Sequence, residues 1–258
     1  MSEVLLEFKN LGKNFGGVRA LDGFDMQVKR GEIIGLIGPN GSGKTTSFNL
    51  MTGIYAPSQG EVHFDGADIT GMSARKVYEA GIARTFQRSR LCLPLSIFDN
   101  IMIGNHARLN TGLWFNLFQR RSLRGQVEEF YTQARDLVAG FSEDLAGRMF
   151  DPVGSLPMIE RRRIEICRAL ISKPKLLLLD EPSAGMTHDE TAQMMDDILA
   201  VRDRMGGLSI IIIEHEMGVI ERLCDQCVVL SYGRKISEGS YAHIAADPEV
   251  QSAYLGMD

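Results

Sequence analysis

The run Gly38-Pro39-Asn40-Gly41-Ser42-Gly43-Lys44-Thr45 sets glycines, a lysine and a hydroxyl in the spacing G-x-x-x-x-G-K-[ST]. Glycines let backbone N–H groups close around phosphate oxygens. A helix that begins near the lysine aims its positive end at the same anion. Lys44 is placed to neutralise β- and γ-phosphates, the Thr45 hydroxyl to ligate Mg²⁺, and Thr46 to add a nucleotide contact where the helix starts. A second group of residues suits the same chemistry. Leu176 to Leu179 is an apolar run that ends on Asp180 and Glu181. Parallel strands deliver functional groups at their carboxyl ends. Asp180 is therefore expected to hold Mg²⁺ through water, and Glu181 to polarise the water that attacks the γ-phosphate. Ile210 to Ile213 ends in the same way on Glu214 and His215, and His215 is expected to donate a hydrogen bond to the γ-phosphate. Taken singly, two acids after an apolar run are often a capped strand end, and a histidine after a strand is usually a polar loop residue. The phosphate loop in the same chain is what gives them weight.

These groups need elements to position them. Val4 to Phe8 and Phe24 to Val28 alternate like strands of an antiparallel edge sheet, and Val62 to Phe64 reads as another short strand. Ile33 to Ile37, Leu176 to Leu179, Ser209 to Ile213 and Val228 to Leu230 are unbroken apolar runs, as in parallel strands buried on both faces. Helical patterns cover Thr45 to Met51, Thr191 to Arg204 and Met217 to Leu223. From about Gln87 to Leu170 the pattern is helical and rich in arginine, including Arg120, Arg121, Arg124 and Arg161 to Arg163. The expected architecture is an α/β core with a helical insertion between two halves of its sheet, with no internal repeat and no low-complexity linker.

Composition narrows the function. A length of 258 residues with 44% hydrophobic and 24% charged residues suits one α/β domain. The net charge of −5 argues against a nucleic-acid binder, which usually carries a basic surface. Cys92, Cys167, Cys224 and Cys227 are too few for a disulfide scaffold, so a reducing cytoplasm is expected. Cys224 and Cys227 form a C-x-x-C with no second pair to complete a zinc site; two small core residues on a helix is the simpler reading, a redox pair the sharper one. No targeting segment is visible, and no apolar run approaches the roughly 20 residues that span a bilayer. At a membrane, such a chain would dock through a partner.

In this order, these pieces resemble the ATP-binding-cassette family over nearly the whole chain. The resemblance implies a P-loop NTPase core of the RecA type with an antiparallel β subdomain and an inserted helical subdomain. It implies one domain over 4–254, with the nucleotide-binding core at 1–87 and 171–258 and the helical part at 88–170. Phe15, in K-N-F-G-G, matches the aromatic that stacks on adenine. Gln87, in R-T-F-Q, matches the glutamine that reaches Mg²⁺ and transmits its state to the membrane subunits. ATP and Mg²⁺ are the implied ligands. The segments G-I-A-R-T-F-Q-R-S-R-L, N-T-G-L-W-F-N-L-F, R-R-R-I-E-I-C-R-A-L and D-P-E-V-Q-S-A-Y-L-G look like the branched-chain amino-acid importer group, and the long insertion near 105–145 like the larger of its two ATPases. That group pairs two different ATPase subunits with two membrane permeases and a periplasmic binding protein. This implies a peripheral place on the cytoplasmic face of a bacterial inner membrane, and cargo among branched-chain amino acids, urea, short amides or aromatic acids. Within the insertion, Leu113, Trp114, Phe115, Leu117 and Phe118 precede Arg120, Arg121 and Arg124, which allows packing within the helical subdomain or against a membrane subunit, or else a basic membrane-surface element.

The chain departs from the family at its signature, L-S-G-G-Q. The aligned stretch is Leu156-Pro157-Met158-Ile159-Glu160. Pro157 has neither N–H nor hydroxyl, Met158 and Ile159 carry side chains where glycines allow close approach, and Glu160 replaces a neutral amide with an anion. Thr187 also stands where an aspartate or asparagine is usual. The leading expectation is a transport ATPase. A cassette acting on ribosomes or DNA would usually carry two cassettes or long coiled coils. A lipid-exporter ATPase and a non-hydrolytic ATP-binding cassette are the nearer alternatives; Lys44, Asp180, Glu181 and His215 weigh against the latter.

Overall fold

A computed structural model describes residues 3–87, 89–105 and 120–255. The expected aromatic cluster from Leu113 to Phe118 lies outside the described residues, as do the side chains of Arg120, Arg121 and Arg124. Two sheets organise the chain. A four-stranded antiparallel sheet in the order β2-β1-β4-β5 is built from β1 (Val4–Phe15), β2 (Val18–Lys29), β4 (Gln59–Phe64) and β5 (Ala67–Asp68). A six-stranded sheet has the order β10-β9-β3-β8-β7-β6, with β3 (Ile33–Ile37), β6 (Ile82–Arg84), β7 (Leu176–Asp180), β8 (Ser209–Ile213), β9 (Gln226–Ser231) and β10 (Arg234–Gly239). Its pairs are parallel except at the β9/β10 edge.

The unbroken apolar runs follow from burial of both faces of this second sheet. Ile34, Leu36, Leu176, Leu178, Ile211 and Ile213 point into a core shared with the antiparallel sheet and with Phe48, Leu50 and Met51 of α1 (Lys44–Met51). Ile33, Ile37, Leu177, Leu179, Ile210 and Ile212 point the other way, into a core shared with the remaining helices. Those helices include α3 (Ile97–Ile103), α4 (Arg120–Ala139), α5 (Glu143–Ala146), α6 (Met158–Leu170), α7 (His188–Arg204) and α8 (Met217–Leu223). Helices α2 (Ala74–Ala80), α9 (Tyr241–Ala246) and α10 (Pro248–Leu255) complete the set that the structure describes.

Several elements differ from expectation. β1 and β2 are each 12 residues long, because the hairpin continues to a turn at Gly16 and Gly17 through register shifts that break the alternating pattern. β6 has three residues and β10 is largely polar, so neither carries a hydrophobic signal of its own. Cys224 and Cys227 do not share a helix: Cys224 caps the end of α8 and Cys227 lies in β9. Cys227 is buried and Cys224 half-buried, and the hydrogen bond with Cys227, then burial, pushes the Cys224 thiol up. Of the arginine run, Arg162 and Arg163 are buried. Arg162 pairs with Glu165 at 2.8 Å, and Arg163 reaches Asp197 on α7 at 2.8 Å.

Thr187 has a local explanation. It is the N-cap of α7: its hydroxyl accepts from the Glu190 N–H, and the Glu190 carboxylate accepts from the Thr187 N–H at 2.9 Å, a reciprocal capping box. Replacing it as Thr187→Ala is expected to cost about 1 kcal/mol and to lower Tm by about 2–4 °C. Calorimetry checks this, and an unchanged transition would show that the cap contributes nothing.

Candidate functional site

The carboxyl ends of β3, β8 and β7 lie side by side, so the segments that follow them share one edge of the sheet. After β3 the chain turns through Gly38 and Gly43, both with positive φ (144° and 111°). A Cβ on Gly38 would sit 2.0 Å from the Leu230 carbonyl oxygen, and one on Gly43 would sit 2.7 Å from that of Ala20. Only glycine fits either place. The loop is wrapped around Lys44, whose ammonium donates to the carbonyls of Gly38 (2.6 Å) and Pro39 (2.9 Å). Burial lowers the Lys44 pKa, while Glu181 and Asp180 oppose that shift. No side chain caps α1 and no acid stands in its first turn, which suits an anion at this helix end. Asn40, Gly41, Ser42, Gly43, Lys44, Thr45 and Thr46 line a cleft together with Ala20, Glu181 and His215. The Ser42 hydroxyl is buried there without a hydrogen-bond partner among the described residues.

The acids occupy different environments. Asp180 is buried and pairs with Arg84. Glu181 has a positive φ of 49°, stabilised by its N–H donating to the Ile213 carbonyl at 2.9 Å. Its carboxylate is gripped from two sides: the Gln87 amide donates to Oε2 at 2.7 Å, and His215 Nε2 stands 2.9 Å from Oε1. Gln87 and His215 therefore meet Glu181 directly. Phe15, 43% exposed at the end of β1, packs edge-on against Tyr55 at 5.2 Å, with the Lys13 ammonium 5.2 Å from its ring. An exposed aromatic beside a cation is a suitable platform for a planar base.

Three residues here have no role assigned from the sequence. Glu214, buried beside His215, accepts from the Ser183 N–H (2.8 Å) and hydroxyl (2.7 Å), and so ties the loop after Glu181 to the end of β8. Arg84, the last residue of β6, donates to Asp180 Oδ2 at 2.6 Å and to Asn49 Oδ1 at 2.7 Å. Asn49 is the third: it stands on α1, one turn beyond Thr45. The one signal in the sequence was adjacency, Glu214 to His215 and Arg84 to the Gln87 segment. The altered signature lies where a helix begins: Pro157 is the N-cap of α6 and provides no side-chain cap. Met158 folds toward residues 183–187 of its own chain, where a Cβ on Gly185 would sit 2.9 Å from Met158 Cε. Glu160 Oε2 is buried without a hydrogen-bond partner, 3.9 Å from the Arg148 guanidinium.

Against known proteins, residues 21–184 match the family profile described as ABC transporter. The chain belongs to the ATP-binding-cassette transporter family. As an ABC ATPase it shares the family's nucleotide-binding fold. Residues 234–256 match a second profile, described as branched-chain amino acid ATP-binding cassette transporter. The chain is 34% identical to the high-affinity branched-chain amino acid transport ATP-binding protein BraF of Pseudomonas aeruginosa, over 99% of both chains. It is 33% identical to LivG of Escherichia coli K12, a protein with the same description, over 99% of both. Among solved structures it resembles the ADP conformation of an ATP-binding cassette of an ABC transporter, with a TM-score of 0.84, 29% identity, and coverage of 99% of this chain and 100% of that one. A nucleotide-free cassette matches with a TM-score of 0.83 and 28% identity, over 98% of this chain and 99% of that one. Among the described residues, no helix of this ABC ATPase is long and apolar enough to cross a membrane.

Burial raises the Glu214 pKa above its ordinary value of 4.5, against the hydrogen bonds from Ser183 and the His215 N–H. Between that value and the raised one, the folded chain holds a proton that the unfolded chain has released. This residue's contribution to stability therefore falls as pH rises through the window. Glu214→Gln removes the titration and keeps an acceptor for Ser183. Urea unfolding of both proteins is expected to show the variant gaining on the wild type as pH rises from 4.5. Parallel stability curves would contradict it.

Proposed function

We propose that this chain is the ATP-hydrolysing subunit of an importer for branched-chain amino acids or related small amides and organic acids. One observation carries the catalytic reading: the phosphate loop after β3, the acids after β7 and His215 after β8 converge at one edge of the sheet. The cargo class rests on likeness to BraF and LivG and on the match at 234–256. ATP would stack its base on Phe15 and lay its phosphates along residues 38–46, with Lys44 released from the Gly38 and Pro39 carbonyls to meet them. Glu181 would take the proton of the attacking water, aimed by the hydrogen bonds from Gln87 and His215. His215 would then be close enough to donate to the γ-phosphate.

The residues present fit Mg²⁺. Among the described residues no group of three or more His, Cys, Asp or Glu stands together as an all-protein metal cage. Mg²⁺ characteristically keeps water and phosphate ligands and takes only one or two carboxylates. Thr45, Gln87 and Asp180 would hold it, and the bound ion would offset the charge that develops on the phosphates.

Glu181→Gln is expected to bind ATP as the wild type does and to hydrolyse it about 10²- to 10⁴-fold more slowly, because the water loses its base. Single-turnover hydrolysis beside equilibrium ATP binding checks this, and turnover at the wild-type rate would remove Glu181 from the role.

The partners rest on the family and on the altered signature. Two permeases would hold it at the cytoplasmic face of the inner membrane, with a periplasmic binding protein acting on them from the other side. A second, different ATPase would face it and supply the signature for the ATP held here. In return this chain offers the exposed Pro157 and Met158, with Ile159 buried in its own core and Glu160 half-buried, so the stretch provides no hydroxyl, no small-residue approach and one added carboxylate. Loss of one preorganised donor costs about 3–4 kcal/mol, or about 100- to 1000-fold in rate. The chain alone is expected to bind ATP and hydrolyse it poorly, and an ATPase subunit with an unaltered signature is expected to restore turnover. Changing that partner's signature should abolish it, while Pro157→Ala, at an exposed position, should do little. Cooperative hydrolysis by this chain as a homodimer, measured in a steady-state assay, would sink the asymmetric reading.

A further inference from the structure

Arg84 makes more contacts than its place in a three-residue strand calls for. Its side chain is 5% exposed, and its guanidinium lies between two rings, with its carbon 5.2 Å from the centroid of Phe48 and 5.0 Å from that of Phe86. One nitrogen donates to Asp180 Oδ2 and the other to Asn49 Oδ1. Phe48 and Asn49 belong to α1, which begins at Lys44. Phe86 immediately precedes Gln87, whose amide holds Glu181. One planar cation thus joins the helix of the phosphate loop, the buried acid at the end of β7 and the segment that carries Gln87. A fork of fixed geometry held between two aromatic faces has little freedom to turn, so it fixes the carboxylate it binds.

The geometry points to Arg84 as the residue that positions Asp180 for the metal, with Asn49 as its anchor on α1. Arg84 takes Oδ2, which fixes the plane of the carboxylate and the direction in which its other oxygen points. Partners that orient a metal-binding carboxylate tune metal affinity, and losing one typically costs about 10- to 100-fold. The inference rests on the proposed Mg²⁺ role of Asp180. Charge and geometry predict different outcomes here. If charge alone mattered, a substitution that keeps a cation beside Asp180 would leave metal binding unchanged. If orientation matters, a substitution that keeps the charge and loses the fork weakens it.

Arg84→Lys makes that distinction, because an ammonium cannot bridge Asp180 and Asn49 as a planar fork does. The experiment loads the full-length protein with a non-hydrolysable ATP analogue and titrates Mn²⁺, as a stand-in for Mg²⁺, by electron paramagnetic resonance. Affinity for the analogue without metal and the thermal midpoint are measured alongside. The expected result is metal affinity weaker by about tenfold, with metal-free analogue affinity within about twofold of wild type. Unchanged or tighter metal binding overturns the assignment. So does a parallel loss of metal and metal-free nucleotide affinity, the mark of a purely structural role. If Arg84→Lys does not fold, Asn49→Ala, at a half-buried position, decides: a smaller weakening of metal binding in the same direction supports the anchor, and no change overturns it. A wild-type protein that binds the analogue but holds no Mn²⁺ would instead remove the Mg²⁺ reading on which the assignment rests.

Discussion

The parallel pairing of β7 with β8 is the constraint on which the site depends. In this register Asp180 stands opposite Ile213, and the Glu181 N–H bonds the Ile213 carbonyl. The two strands therefore end together, and the acids of one are delivered beside the histidine of the other. A slip by one residue would move every side chain of a strand to the opposite face. Here both faces are buried in cores of different shape, so the register is held from both sides. The apolar runs that look like mere filling are what align the reactive ends.

Bringing three acids to one edge has a cost, and each carboxylate meets it differently. Asp180 is paired with Arg84, Glu181 is held between Gln87 and His215, and Glu214 takes hydrogen bonds from Ser183 and the His215 N–H. Burial without such partners would drive carboxylates to their neutral forms. These arrangements separate the roles: one acid is buried against a cation, one half-open to the cleft, and one committed to its own loop. Lys44, turned back on the loop carbonyls, completes the balance with a cation that a phosphate can draw out.

The altered signature is a change of surface chemistry on a preserved scaffold. α6 is intact from Met158 to Leu170, Arg163 anchors it to α7 through Asp197, and Arg162 pairs with Glu165 within the helix. What changed lies in the first turn and its cap, where Pro157 removes a donor and Met158 turns toward Gly185 of the same chain. The neighbouring Thr187 shows the opposite case, since its hydroxyl caps α7 in the way a shorter acid would. A departure from a family pattern can thus be absorbed as a helix cap at one position and remove a hydrogen-bond donor at another.

By itself the sequence determined the phosphate loop, the buried parallel strands and the acids and histidine that end them. Each of these is a local pattern: glycines at positions that bar a Cβ, and apolar runs of strand length closed by polar residues. It also showed the loss of the signature, which is a matter of residue identity. Only the tertiary structure decided that Gln87 and His215 grip Glu181, that Glu214 ties the neighbouring loop, and that Cys224 and Cys227 lie on different elements. The roles of Arg84 and Asn49 were hidden for the same reason. Arg84 is 96 residues from Asp180 and 35 from Asn49, and no periodicity relates them. Ion pairs across a sheet depend on strand order, and strand order is set by which faces bury best together, a property of the whole fold that no single stretch of chain encodes.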